Sequence, residues 1–172
     1  MKLYLLRHGL AAPRDSTRFA NDDLRPLTAR GRGQARMAGR TLRRRGIDID
    51  LIWFSPLARA DETAIAVAEE MAMLDRACPQ DALAPDGDRE ALLGRINAIV
   101  PSPASMLLVG HEPSLSRLLS FLVAGTAQLS IRLRKGGLAR LKIDDAMLIP
   151  GYATLECLIP PPFLAVDDEQ AS

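Results

Sequence analysis

A chain of 172 residues, 48% hydrophobic and 25% charged, has the size and composition of one ordinary soluble domain with a normal core. Its net charge of +1 supplies no global basic field for nucleic acid, and no apolar run approaches the ~20 residues of a membrane span. The N-terminus lacks the organisation of a signal peptide, and Cys78 and Cys157 stand far apart without metal-ligand spacing. A reduced, cytoplasmic protein without structural zinc is therefore expected.

In chain order, Leu3 to Leu6 form a short apolar run that breaks at once into Arg7-His8-Gly9. That pattern reads as a strand buried on both faces, with the polar residues at its carboxyl end, where open α/β sheets bind ligands. Gly9 allows a sharp turn at a position expected to exclude a Cβ. Residues 10 to 27 read as a rim-forming loop ending in Leu24-Arg25-Pro26-Leu27-Thr28. Thr28 is an N-cap candidate for a helix reaching about Arg45 and stopped by Gly46. Gly31, Ala35, Ala38 and Leu42 share its buried face; Arg32, Arg36, Arg40 and Arg44 share the opposite one. Such an arginine stripe is either a solvated helix face or a surface for an acidic partner, and the first is the default.

The run IDLIWF is a second strand, and Ser55-Pro56 reads as the start of the next helix, Ser capping and Pro at the first position. Arg59 then lies in the first helical turn, where few packing contacts are expected and an anion is favoured. Its alternative is a surface ion pair with Asp61 or Glu62. Residues 75 to 89 are loop with a possible short strand, followed by a helix from about Arg89 to Val100 that buries Leu92, Leu93, Ile96 and Ile99. The strand MLLVG delivers His111, the second of the two histidines, and Pro113 opens a helix that Gly125 stops. Leu138 to Ile143 and Ala153 to Ile159 are two more strands. One domain, residues 1–160, is expected, with 161–172 a mobile tail. Alternation of strands and helices argues for a three-layer α/β/α domain with a mainly parallel sheet.

Three segments recur at strand ends: Leu6-Arg7-His8-Gly9, then SPLARADET from Ser55 to Thr63, then Gly110-His111-Glu112-Pro113. Together, over roughly residues 1 to 160, they resemble the histidine phosphatase superfamily, whose fold is phosphoglycerate mutase-like. The small size and Arg25-Pro26-Leu27-Thr28 resemble its SixA-type phosphohistidine phosphatase branch. The resemblance implies a mixed sheet of about six strands, one of them antiparallel. It also implies His8 as nucleophile, His111 as a hydrogen-bonding partner of the phosphoryl group, and Arg7 and Arg59 as phosphate-binding residues. Arg25 matches a residue near the pocket mouth, and Gly9 is counted with the substrate-binding positions.

The residue types suit that chemistry. Two permanent cations bind phosphoryl oxygens bidentately and lower the pKa of nearby imidazoles, one of which can attack phosphorus. No metal or other cofactor is expected, since the arginines supply the charge that other phosphatases draw from divalent ions. Leu10 follows the Arg-His-Gly motif where many superfamily members carry an acidic residue, and no inserted segment for a general acid is evident. Asp86, Asp88 and Glu112 are the nearby candidates, with loop-turn and helix-dipole roles as their default readings. The expected activity is metal-independent hydrolysis through a phosphohistidine intermediate, with a histidine-phosphorylated protein of signal transduction as substrate. The alternatives are a phosphomonoesterase for a small metabolite and, from another class, a non-catalytic phosphate-binding module.

Overall fold

Along the first strand, β1 (Lys2–Arg7), alternate side chains enter two separate cores: Leu3 and Leu5 one, Tyr4 and Leu6 the other. All four are buried, so β1 must be covered on both faces. In the computed structural model, which describes residues 1–14, 19, 21–144 and 147–164, helices supply both covers. The remaining elements are α1 (Ala29–Arg44), β2 (Leu51–Phe54), α2 (Ala58–Met71), β3 (Ala77–Pro79), α3 (Arg89–Asn97), β4 (Ser105–Gly110), α4 (Ser114–Ala124), β5 (Leu138–Ile143) and β6 (Ala153–Ile159).

The six strands form one sheet in the order β3-β2-β4-β1-β5-β6. β3, β2, β4 and β1 run parallel, β5 is antiparallel to β1, and β6 is antiparallel to β5. β5 is thus the single reversed strand, as the family resemblance implied. Helices α1 and α2 bury Ala38, Leu42, Ala64 and Val67 against one face; α3 and α4 bury Leu92, Ile96, Leu115 and Leu119 against the other. The helices that leave β1 and β4 therefore lie on opposite faces. That divergence opens a crevice at the carboxyl ends of these two neighbouring strands.

The return from β1 into α1 is tight. Thr28 caps α1, its hydroxyl accepting from Gly31 N at 3.0 Å and donating to Leu10 O at 2.9 Å. Gly9 and Gly31 face each other so closely that a Cβ on Gly9 would lie 2.5 Å from Gly31 O. The requirement at Gly9 is close backbone approach.

Several boundaries differ from the sequence expectation. Helix α2 begins at Ala58, after Pro56, and Leu57 caps it without a side-chain bond. Ser55 lies two residues before that cap, and its hydroxyl pairs with His111. Helix α3 stops at Asn97, leaving Ile99 only partly buried against the core. Pro161–Phe163 form a 3-10 turn and Leu164 is buried, its carbonyl accepting from Thr41 Oγ1 at 2.5 Å. The first residues of the expected tail thus fold onto α1, and 165–172 lie outside the described residues. In the arginine stripe, Arg32 and Arg40 pair with Glu62 and Glu70 of α2 at 3.4 and 3.1 Å.

Two glycines of α1 should respond oppositely to alanine. A methyl at Gly31 would sit 2.1 Å from Leu10 O, whereas one at Gly33 meets nothing within 4 Å. Gly31→Ala should destabilise the fold by about 1–3 kcal/mol through overpacking. Gly33→Ala should stabilise it by about 0.5–1 kcal/mol through helix propensity. Urea titrations of the two variants measure both signs.

Candidate active site

Strand register decides which side chains meet at the crevice. Arg7 of β1 stands opposite Gly110 of β4, so the residues that follow, His8 and His111, emerge side by side. Their ring centroids are 5.0 Å apart, and both residues are buried. β2 pairs with the other edge of β4 and ends at Phe54, which delivers Ser55 to the same level.

Each imidazole has one nitrogen engaged. His8 Nδ1 lies 2.7 Å from Gly9 O, a carbonyl that can only accept, so Nδ1 carries the proton and Nε2 keeps its lone pair. His111 Nε2 lies 2.8 Å from Ser55 Oγ, which also accepts from Leu57 N at 3.3 Å. His111 Nδ1 is buried with no hydrogen-bond partner among the described residues, and so is Arg7 Nε. Buried polar groups are seldom left unpaired, and these two belong to walls of the same cleft.

That cleft has a volume of about 570 Å³ and is walled by Arg7, His8, Arg14, Arg25, Arg59, His111, Glu112 and Lys135, among others. Burial first, then His111, Arg59 and Arg7, hold the His8 pKa down at about 3, against the raising effect of the Gly9 carbonyl. Burial, then Arg59 and Arg7, bring His111 to about 4. Both rings are neutral at physiological pH. Burial also lowers Lys135, with Arg7, Arg25, Arg59 and Arg14 adding repulsion.

All six residues singled out from the sequence, Arg7, His8, Gly9, Arg25, Arg59 and His111, come together here. Arg7 Nη1 donates to Leu133 O at 2.9 Å. Gly9 N donates to Thr63 Oγ1 at 3.1 Å, and that hydroxyl donates to Arg59 O at 2.6 Å, tying the end of β1 to the first turn of α2. Arg59 was expected to have few contacts; instead it is 4% exposed and donates to Asp22 O at 2.9 Å. Its ion partner is Asp22, at 3.4 Å, not Asp61 or Glu62. Arg25 Nε donates to Asp22 Oδ1 at 3.0 Å, and Arg25 Nη1 donates to Ala12 O at 2.7 Å.

Asp22, which sequence reasoning passed over, thus gathers Arg14, Arg25 and Arg59. Partial burial pushes its carboxyl up, but Arg25, Arg59 and Arg14 outweigh this and hold it below the usual range. Lys135 and the role of Ser55 were also missed. Asp22 lies in a loop with no periodic signal; the run Arg132 to Lys135 was a visible basic cluster whose position could not be read.

Of the three candidate acids, only Glu112 lines the cleft. Its carboxylate accepts from Ser116 Oγ and from Leu133 N. Asp88 caps α3, accepting from Glu90 N at 2.8 Å and Ala91 N at 3.2 Å. Asp86 is exposed in the preceding loop. Among the described residues, no His, Cys, Asp and Glu group has the arrangement of a metal site.

Two neighbouring histidines, each hydrogen-bonded to another residue, stand in an arginine-walled cleft at the switch point of a six-stranded sheet, the arrangement that the histidine phosphatase resemblance implied. Residues 3–79 match the model of the histidine phosphatase superfamily (branch 1). An uncharacterized protein of Picosynechococcus sp. is 33% identical over 150 residues, 86% of this chain and 88% of that one. The phosphohistidine phosphatase SixA of Escherichia coli is 29% identical over 126 residues, 73% of this chain and 76% of its own. A solved structure of the protein histidine phosphatase SixA complexed with tungstate superposes with a TM-score of 0.83 at 25% identity, covering 96% of this chain and 100% of that one. This chain belongs to the histidine phosphatase superfamily, in its SixA-type branch, and is by class a phosphatase.

The neutral histidines carry a stability cost at low pH. In the unfolded chain both titrate near 6.5, against about 3 and about 4 when folded. Below pH 6.5 the unfolded state therefore binds protons that the folded state refuses, and stability falls as pH drops toward 4. A His8→Gln/His111→Gln variant should lose less urea resistance than the wild type between about pH 7 and about pH 4.5. Equal losses in the two proteins would show that the histidines are not responsible.

Proposed function

We propose that this chain removes a phosphoryl group by transferring it to His8 Nε2 and then to water, and that its preferred substrate is phosphohistidine in a protein. The observation that carries this reading is the hydrogen bond from His8 Nδ1–H to Gly9 O, which keeps Nε2 unprotonated beside two arginines. Nε2 attacks phosphorus while the bond from phosphorus to the leaving nitrogen breaks. Because Nδ1 keeps its proton on Gly9 O, the intermediate is an N-phosphorylated imidazolium. That cation leaves as neutral imidazole when water attacks, and the water's protons end on the released phosphate.

Arg7 and Arg59 would bind the non-bridging oxygens and offset the charge spread over them in the transition state. Their charge also makes a metal ion unnecessary for that purpose. The Ser55 hydroxyl accepts from Leu57 N and has His111 Nε2 as its acceptor, which leaves the proton of the neutral ring on His111 Nδ1. The unpartnered Nδ1–H is then a donor for a phosphoryl oxygen. Tungstate, with which the SixA relative is complexed, is an oxyanion of phosphate shape, and this supports an oxyanion-binding role for a protein of this fold.

Substrate preference follows from the leaving group. An alkyl phosphate must expel an alkoxide, whose conjugate acid has a pKa near that of water, ~15.7. Phosphohistidine with its second ring nitrogen protonated expels neutral imidazole, whose conjugate acid has a pKa of ~6.5. Among the described residues, the carboxylates at the cleft are committed elsewhere: Asp22 to three arginines, Glu112 to Ser116 and Leu133 N. A site whose carboxylates are engaged in this way is matched to P–N bonds.

Quenched reactions should carry a phosphoryl label that acid removes and base does not, and that His8→Ala abolishes together with turnover. The kcat/KM for a phosphohistidine peptide should exceed that for sugar or glycerate phosphates by at least ~100-fold. An ordinary alkyl phosphate as best substrate would instead favour the metabolite phosphatase reading. Activity should also survive exhaustive EDTA treatment; activity lost to EDTA and restored by magnesium or manganese would refute metal independence.

A further inference from the structure

Beside the cleft lies a second concentration of cations. Arg132 and Arg134 sit on the segment that enters β5, and Arg30 sits in the first turn of α1. All three are exposed, and none forms an ion pair among the described residues. Arg32, Arg40 and Arg76, by contrast, pair with Glu62, Glu70 and Asp48. For a chain of net charge +1, this is a local excess.

The excess lies on shaped surface. One depression of about 340 Å³ is formed by Arg7, Arg132, Arg134 and Lys135. Another of about 540 Å³ includes Arg30, Gly33, Met37, Arg134, Pro161 and Pro162 in its walls. Arg134 and Lys135 border both, and Lys135 borders the cleft as well, so the three are contiguous. The segment between them is pinned. Leu133 O accepts from Arg7 Nη1, Leu133 N donates to Glu112, and Gly136 N donates to Arg7 O at 3.0 Å. Arg132 and Arg134 therefore flank a fixed residue and are held out in advance of any partner.

Gly33 adds an independent sign. It sits on the exposed side of α1, where helix propensity disfavours glycine and a Cβ would have free space, yet it lines the larger depression. Its missing side chain keeps that depression open, next to apolar surface from Met37, Pro161 and Pro162.

We propose that this surface docks an acidic segment of the phosphorylated protein on which the cleft acts. Carboxylates would meet Arg30, Arg132 and Arg134, and an apolar side chain would rest on Met37 and the Pro161-Pro162 turn. The proposal builds on reading the cleft as a phosphoryl site. A flat anionic bilayer would touch only the rims of these depressions and leave their floors unused, so a peptide fits the shape better. Single exposed ion pairs contribute little, and several acting together steer and orient the partner.

The test uses phosphate-free peptides, so that its result does not depend on which phosphorylated compound is hydrolysed. A fluorescent Glu-rich peptide with one central leucine, and a Lys-rich counterpart, are titrated with the full chain and followed by anisotropy. The acidic peptide should bind, more weakly as salt rises, and the basic one should not. Arg30→Glu/Arg132→Glu/Arg134→Glu should weaken that binding at least ~10-fold while turnover of saturating p-nitrophenyl phosphate stays within ~2-fold. Gly33→Glu, which introduces a carboxylate without a clash, should weaken peptide binding with no loss of melting temperature. Equal binding of the two peptides, or no effect of the charge reversals, overturns the proposal. So does a parallel loss of p-nitrophenyl phosphate turnover, which would assign these arginines to the phosphoryl site. Binding to phosphatidylserine vesicles without binding to the acidic peptide overturns it in favour of a membrane.

Discussion

The parallel pairing of β1 with β4 is the constraint on which the site depends. It sets Arg7 against Gly110, and one residue further along each strand the two histidines are neighbours without any loop having to place them. Because Leu3, Leu5, Tyr4 and Leu6 fill two cores at once, β1 cannot shift its register without exchanging residues between both. The same argument holds for β4, where every residue from Ser105 to Gly110 is buried. The rigidity of the histidine pair is thus that of the hydrophobic core.

The arginines are held by a different principle. Arg7 rises from β1 itself, but Arg59 reaches the cleft from α2, and its position relative to His8 is relayed through Thr63, whose hydroxyl bridges Gly9 N and Arg59 O. Arg25 arrives on the loop between β1 and α1 and is fixed by Asp22 and the Ala12 carbonyl. Burial first, and then repulsion from Arg132 for Arg7 and from Arg25 and Arg14 for Arg59, lowers the pKa values of both arginines. Asp22 offsets the repulsion with one carboxylate shared among Arg14, Arg25 and Arg59. The loop's conformation and the cleft's charge are therefore one problem with one solution.

This division explains what could be read in advance. Strand ends were legible because apolar runs stop abruptly: β5 and β6 lie at the expected residues, and His8 and His111 were marked by the polar break after β1 and β4. Capping chemistry was legible at Thr28, whose hydroxyl accepts from Gly31 N while donating to Leu10 O, and misleading at Ser55, which lies two residues before the actual cap. There a Ser-Pro pair imitates a helix start while the hydroxyl is claimed by a histidine 56 positions away. Asp22 was illegible for the same reason. Its partners come from three places in the chain, and local pattern carries no information about a charge balance that exists only once the fold has closed.

The two histidines show how far similar surroundings can produce different groups. Both rings are buried near Arg7 and Arg59, and burial is the leading cause of both lowered pKa values. What separates them is one hydrogen bond each. A carbonyl on His8 Nδ1 can only accept, so it fixes the proton there and leaves Nε2 with its lone pair. A hydroxyl on His111 Nε2 can donate, and with Leu57 N already donating to that oxygen, donation to the ring is the arrangement that satisfies it. The ring proton then belongs on Nδ1, and His111 becomes a donor. Acceptor beside donor, both uncharged, is the complement of a phosphoryl group, whose phosphorus takes an electron pair while its oxygens take hydrogen bonds.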